Sequence, residues 1–443
     1  MNSLNQQVWT PKAWVGGQWQ ADVLLEIDAK GLWHHITPNT PAPELARKLD
    51  GALLPGLVNA HSHAFQRAFV GLSEVRQSES DDFWSWRQQM YGVALKVTPD
   101  SLHRIAKQLY TELLQGGYSH VCEFHYLHHQ IDGTPYPAFA QMSLALVQAA
   151  HDVGMGMTLL PVLYERAGFE QPQLRAEQRR FKTDVDAVLT LRQQVQNYVS
   201  QFELKNITVG VAVHSLRAAK AESIAELWEG VKDDSTPIHI HIAEQTGEVD
   251  DCLKTTGQRP IEWLCNGLGQ GVQIDEKWHL VHATHALPSE IDAVAKTGAG
   301  MVLCPSTEAN LGDGLTDLPH WFKSGVPISI GSDSHVTRDW REELRLAEYG
   351  QRLIHRKRNV LAETKQYGGS TAARLFERAV QAGGVAAGHA QWGLEVGARA
   401  VGMVCQLDAP FEGIDTLEQE NALLDRLVFS SPSPMFKTLS SLI

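Results

Sequence analysis

The chain has 443 residues, 43% hydrophobic and 20% charged, an ordinary globular composition that excludes a disordered or low-complexity chain and leaves apolar mass for a large core. With 38 basic against 51 acidic residues the formal charge is −13, which argues against a general nucleic-acid binder, because such a protein needs a basic face to release counterions. Cys122, Cys252, Cys265, Cys304 and Cys405 form no CxxC pair, so neither a disulfide framework nor a cysteine zinc site is expected. No basic start followed by an apolar run opens the chain, and no stretch approaches the ~18 apolar residues of a membrane helix. The expectation is a soluble, cytoplasmic protein with no membrane and no nucleic-acid partner.

In chain order, residues 13–20 and 23–27 carry β-type patterning, with Gly16-Gly17 as a turn signal. Proline and charge follow at 37–50. Eight apolar, strand-like runs then appear, at 53–60, 119–124, 157–163, 207–213, 238–242, 278–281, 299–304 and 326–331. Amphipathic helix patterns at 100–115, 138–152, 182–202, 221–231 and 289–297 lie between them, and two more follow at 341–355 and 371–382. Strands alternating with helices predict a parallel sheet with crossovers, and eight of them predict a closed (β/α)8 barrel. No GxGxxG opens a helix after a strand, which counts against an open doubly wound sheet. The tail at 393–429 reads as short strands and turns. Both termini are therefore expected to build one small flanking β-domain, from residues 1–54 and 386–443, around a barrel at 55–385.

Barrel enzymes work at the C-terminal ends of their strands, so the polar residues that stop each run are the candidates. The first run ends in Asn59-Ala60-His61-Ser62-His63, where alternate residues point to one side and can aim two imidazoles at one ion. The fifth ends in His239-Ile240-His241-Ile242-Ala243-Glu244, the sixth at His282, and the eighth at Gly331-Ser332-Asp333. Neutral imidazoles with a carboxylate suit Zn2+ and related divalent ions. One HxH alone is a weak signal; the conjunction across four strand ends is a strong one.

HxH after strand one, HxxE after strand five, His after strand six and Asp after strand eight resemble the amidohydrolase superfamily. Within it, the stretches at 55–74 (PGLVNAHSHAFQRAFVGLSE), 123–129 (EFHYLHH), 213–218 (VHSLRA), 303–314 (LCPSTEANLGDG) and 343–353 (EELRLAEYGQRL) are similar to the branch that deiminates a formimino-substituted dicarboxylate in bacterial histidine degradation. One departure is visible: Gly397-Ala398-Arg399-Ala400 is followed by Val401, where the family's pattern usually has Asp.

The resemblance implies a metal-dependent TIM barrel with a small β-domain. It implies one Zn2+ per chain on His61, His63, His241 and Asp333, with Fe2+ or another divalent ion as the alternative metal. His239 is then a histidine of the barrel core or one that supports the ligands. Glu244, His282 and Asp333 are the implied catalytic residues, and Gln66, Arg87, Tyr126, His214 and Arg217 the implied substrate pocket. The implied reaction is hydrolysis of N-formimino-L-glutamate to N-formyl-L-glutamate and ammonia by a homodimeric enzyme. Two arginines fit such a substrate, because a planar guanidinium binds a carboxylate bidentately. The competing readings are a deaminase of an aminopurine, which does not need two carboxylate clamps, and a non-catalytic zinc-holding scaffold, which does not need Glu244, His282 and Asp333 together.

Overall fold

The computed structural model describes residues 6–75, 83–405, 421–430 and 436–439. The chain begins with a hairpin of β1 (Gln6–Val15) and β2 (Gln18–Ile27), paired antiparallel across Gly16 and Gly17. Those glycines have φ of +59° and +79°, which a residue with a Cβ adopts only at a cost. The turn thus falls inside the run expected at 13–20, and the second strand is continuous from residue 18. With β3 (Trp33–Thr37), β4 (Arg47–Lys48) and β5 (Ala52–Pro55), the hairpin forms most of a seven-stranded mixed sheet.

At Gly56 the chain leaves that sheet. A Cβ there would stand 2.1 Å from Ser119 Oγ, so only glycine permits the crossing. The apolar run expected as one strand at 53–60 is therefore two strands in two sheets. The barrel consists of β6 (Leu57–Ser62), β7 (Tyr118–His125), β8 (Gly156–Leu163), β9 (Ile207–Val209), β10 (Val211–Ser215), β11 (Ile238–Ile242), β12 (Trp278–His282), β13 (Gly300–Leu303) and β14 (Ile328–Ile330). Neighbours pair parallel in the order β6-β7-β8-β10-β11-β12-β13-β14, with β9 adding only to β8. The fourth expected run is split at Gly210, where a Cβ would meet Leu160 Cδ2 at 2.5 Å and Pro237 O at 2.8 Å. Nearly every strand residue is buried, as a parallel sheet covered on both faces requires.

Eight parallel strands come close to a closed ring. Between the last and the first, the contact is made by backbone: the Asp333 N–H donates to His61 O (2.9 Å) and the His63 N–H to Asp333 O (3.3 Å). Asn59 reinforces it, donating through Nδ2 to Ser332 Oγ (2.7 Å) and accepting the Ser332 N–H at Oδ1 (2.8 Å). The closure thus places the strand-eight carboxylate beside the strand-one histidines.

The crossover helices follow the expected patterns. Pro99–Gln115 begins at a Thr98–Ser101 capping box with proline in its first turn, and it buries Leu102, Ala106, Leu109, Tyr110 and Leu113, one stripe at helical spacing. β15 (Gly402–Cys405) pairs antiparallel with β5 and with β16 (Lys437–Thr438), so both ends of the chain contribute to the mixed sheet. The tail differs from expectation in one element. Ala422–Phe429 is a helix whose Leu423, Leu424, Leu427 and Val428 are buried, a 3.6-residue pattern where strands and turns were expected; residues 406–420 of that tail lie outside the described residues. No helix among the described residues is long and apolar enough to cross a membrane.

Candidate metal centre and active site

His61 and His63 leave the end of β6 with their rings buried. The His63 Nδ1–H donates to Phe124 O (2.8 Å), and the His241 Nδ1–H donates to His214 O (2.8 Å). Each bond leaves Nε2 as a bare lone pair. Those atoms converge: His61 Nε2 is 3.1 Å from His63 Nε2 and 2.9 Å from His241 Nε2, and Asp333 Oδ1 is 3.5 Å and 3.3 Å from His61 and His63. Burial, and then the neighbouring imidazoles, hold His61 and His241 well below the usual histidine range, and burial also lowers His63. The rings are neutral, the form a metal needs. Converging lone pairs repel unless a cation sits among them. A tetrahedral ion with bonds of ~2.0–2.2 Å holds its ligands about 3.3 Å apart; His61, His63 and Asp333 are spaced in this way, and His241 joins them through His61, forming a second close group with His61 and His282. The donor set therefore fits a divalent ion, and the Nδ1–carbonyl bonds are of the kind that orient metal-bound imidazoles.

Glu123, at the end of β7, fixes the HxH segment. It accepts from Ser62 Oγ (2.6 Å), the Ala64 N–H (2.6 Å) and Tyr110 Oη (3.1 Å). Burial pushes its carboxyl up to about 7 against those three donors. Its three donors make it a structural acceptor at the strand end.

His282 stands at the end of β12. Its Nε2 is 3.8 Å from Glu244 Oε1 and 3.7 Å from Asp333 Oδ2, and its Nδ1 is 3.4 Å from Glu308 Oε1. Burial opposes its charge, but Glu244 foremost, then Cys304 and Glu308, outweigh burial and hold it well above the usual range. Burial in turn raises Glu244. Glu248 supports that loop by accepting the Ala243 and Glu244 N–H groups (3.3 and 3.2 Å). His282, Ala243 and Asp333 have φ of +71°, +51° and +45°. Positive φ costs a residue with a Cβ roughly 1–2 kcal/mol, and such strain concentrates where side chains must be aimed.

A cleft above these groups is lined by His63, Gln66, Trp86, Arg87, Met90, Tyr126, His214, Arg217, His241, Glu244, His282, Leu311 and Asp333. Every residue expected in the site is thus brought together, with His61 directly beneath. Gln66 donates to Tyr126 Oη (3.0 Å), while its Oε1 is buried without a partner. Arg217 has a buried Nη1 without a partner and no ion pair within 4 Å among the described residues. Arg87 donates through Nη2 to Tyr164 Oη (3.1 Å). His239 stays out of the cleft and bonds Ala386 O at 2.8 Å, its ring tilted against that of His279 at 4.8 Å, so of the two histidines on β11 only His241 joins the cluster.

The sequence analysis assigned no lining role to Met90, Leu311 or Trp86. It also passed over Glu308 and Glu248. All sit on helices or loops beyond the strand ends, and no periodicity marks them. Cys304 is buried, and its thiol lies close to His282 and Glu308.

Comparison with known proteins agrees with this geometry. The model of the Amidohydrolase family matches residues 52–400, and the chain belongs to that family of metal-dependent hydrolases. Among curated relatives it is similar to formimidoylglutamate deiminase of Pseudomonas aeruginosa, with 42% identity over 96% of this chain and 90% of that protein. The 5-methylthioadenosine/S-adenosylhomocysteine deaminase of Haloarcula marismortui is 24% identical over 88% of this chain and 81% of its own length. Among solved structures, an amidohydrolase from Brucella melitensis superposes with a TM-score of 0.88 at 37% identity, covering 96% of this chain and 91% of that one. A zinc-bound adenosine deaminase from Xanthomonas campestris shares the fold, with a TM-score of 0.76 at 20% identity over 98% of this chain and 90% of that one.

Proposed function

We propose that the protein hydrolyses N-formimino-L-glutamate to N-formyl-L-glutamate and ammonia, a step of histidine degradation. The observation that carries this reading is Arg217. The charge of Arg217 acts on Glu248 and Glu244, but its buried Nη1 has no hydrogen-bond partner and is open to an incoming carboxylate; with Arg87 in the same cleft the ligand called for is a dicarboxylate. The similarity to the Pseudomonas deiminase supports the same substrate.

His61, His63, His241 and Asp333 would hold one Zn2+, with Fe2+ or another divalent ion as the alternative. Such an ion lowers the pKa of a bound water toward ~7, making hydroxide available at neutral pH. Glu244, with its carboxyl raised by burial, takes a proton from the attacking water and passes it to the imino nitrogen. His282 hydrogen-bonds the water as it attacks the amidine carbon and stabilises the negative charge that develops there. Asp333 accepts the second proton and returns it to the terminal nitrogen, which leaves as ammonia. Gln66 Oε1 is free to accept a substrate N–H, and Arg87 and Arg217 hold the carboxylates. Proton transfer of this kind typically contributes 10²–10⁴-fold. A homodimer in the cytoplasm goes with this reading, and light scattering tests the first.

The test is ammonia release by the zinc-loaded protein from N-formimino-L-glutamate, with guanine and adenosine as controls. Release from the formimino compound alone is expected. Release from a purine alone would replace the substrate, and release from none would leave only the fold and the metal-type cluster.

A further inference from the structure

Behind Arg87 lies a buried polar group that neither the substrate nor the metal cluster needs directly. Gln178, on the short helix Ala176–Gln178, is 1% exposed. Its Oε1 accepts the Arg175 N–H at 2.9 Å, so the main chain fixes which way the amide faces. Its Nε2 then donates to Tyr164 Oη (2.8 Å) and Tyr91 Oη (3.1 Å). Tyr164 Oη also accepts from Arg87 Nη2 (3.1 Å), and the Arg87 guanidinium carbon lies 5.3 Å from the centre of the Tyr91 ring. Both phenols are buried, and the Tyr164 ring packs at 4.3 Å on that of His214 in the cleft wall.

Counting lone pairs shows what this arrangement does. A phenol oxygen has two acceptor sites and one proton. On Tyr164 both acceptor sites are filled, by Gln178 and by Arg87, so that hydroxyl can only donate further. The surroundings of Arg87 then present donors, and an incoming group finds no acceptor on Tyr164. A carboxylate, which only accepts, suits that end of the cleft. A carboxamide would bring N–H groups that Tyr164 cannot receive, and such unmet groups are a basis of discrimination.

We infer that Gln178 and Tyr164 are positioning residues that hold Arg87 and make its end of the cleft selective for a carboxylate over a carboxamide. This rests on the reading of Arg87 as a substrate clamp. The experiment measures KM, kcat and metal content for Gln178→Leu, Gln178→Glu and Tyr164→Phe, using N-formimino-L-glutamate and its two monoamides. Gln178→Leu and Tyr164→Phe are expected to raise KM about tenfold, with a much smaller change in kcat, and to lower the preference for the dicarboxylate by a similar factor. Gln178→Glu keeps the volume but removes the donor to Tyr164 and puts a negative charge one hydroxyl away from Arg87, so it is expected to be the worse of the two Gln178 variants. If only packing mattered, the isosteric Gln178→Glu would be the milder. An unchanged KM, or that reversed order, overturns the inference.

A second arm needs no substrate. In the ligand-free protein the Arg87 guanidinium N–H signals, assigned through Arg87→Lys, are expected to show hindered rotation by NMR and to average in Gln178→Leu. Unchanged signals overturn the inference whether or not the wild type releases ammonia, whereas failure of the wild type to turn over overturns only the substrate reading.

Discussion

Replacing Arg217 by methionine keeps an apolar stem in the cleft and removes the charge. Two unit charges about 4 Å apart attract by ~4 kcal/mol at an effective dielectric of ~20. Desolvating the substrate carboxylate takes back part of that, and measured close charge pairs at interfaces span roughly 1.5–7 kcal/mol. A loss of about 2–4 kcal/mol in substrate affinity is therefore expected, which is a rise in KM of roughly 30- to 1000-fold. The metal-type cluster lies on other side chains, so metal content should hold at the wild-type level and kcat should fall far less than KM rises. The folded protein also loses the charge that acts on the buried Glu248 and Glu244, so a modest fall in Tm is expected to accompany the loss of affinity. Steady-state ammonia release, metal analysis and calorimetry on one preparation read all three quantities. A KM within threefold of wild type, at full metal content, refutes the assignment of Arg217 to the substrate and with it the main support for a dicarboxylate.

Three further outcomes follow from particular side chains. Glu244→Gln removes the proton carrier and should lower kcat by about 10²–10⁴ while metal content stays at the wild-type level; near-full turnover would discard that role. Gly331→Ala places a Cβ 2.6 Å from His61 Cβ and 2.8 Å from His61 N, so His61 must move, and weakened metal retention under a chelator is the readout. Glu343 is buried on the helix Trp340–His355, and burial pushes its carboxyl up to about 8 although it accepts from Ser306 N (2.9 Å) and Oγ (2.6 Å). A raised folded-state pKa means stability that is present below the unfolded value near 4.5 and lost as pH rises through about 8. At about 1.4 kcal/mol per pH unit over that window, Glu343→Gln should gain several kcal/mol on the wild type between pH 5 and 9 in urea unfolding; a pH-independent difference would contradict it.

The barrel was legible because parallel strands buried on both faces leave continuous apolar runs, and these stand out between amphipathic helices. What was not legible came from contacts distant in sequence. Residues 53–60 look like one strand, yet Gly56 carries the chain from one sheet to another because Ser119 Oγ occupies the space a Cβ would need. The helix Ala422–Phe429 was read as strand and turn although its leucines are spaced for a helix; a short apolar run does not separate the two periods.

The site divides along the same line. Metal-type ligands and proton carriers sit at strand ends, where alternation and the barrel's geometry predict their direction, and His241 separates from His239 because residues one pleat apart on a short strand reach different layers of the barrel. The groups that hold those side chains in place do not obey any local pattern. Glu248, Glu308 and Gln178 act through hydrogen bonds to main-chain N–H groups or to other side chains, and a lone carboxylate or amide in a sequence carries no mark of those partners. A strained strand end such as His282, with φ of +71°, can persist only if such partners over-determine it. The residues that aim the chemistry are thus the ones a sequence reading should expect to miss, and substitutions at Glu308 or Gln178 should change kinetics while leaving the fold and the metal content intact.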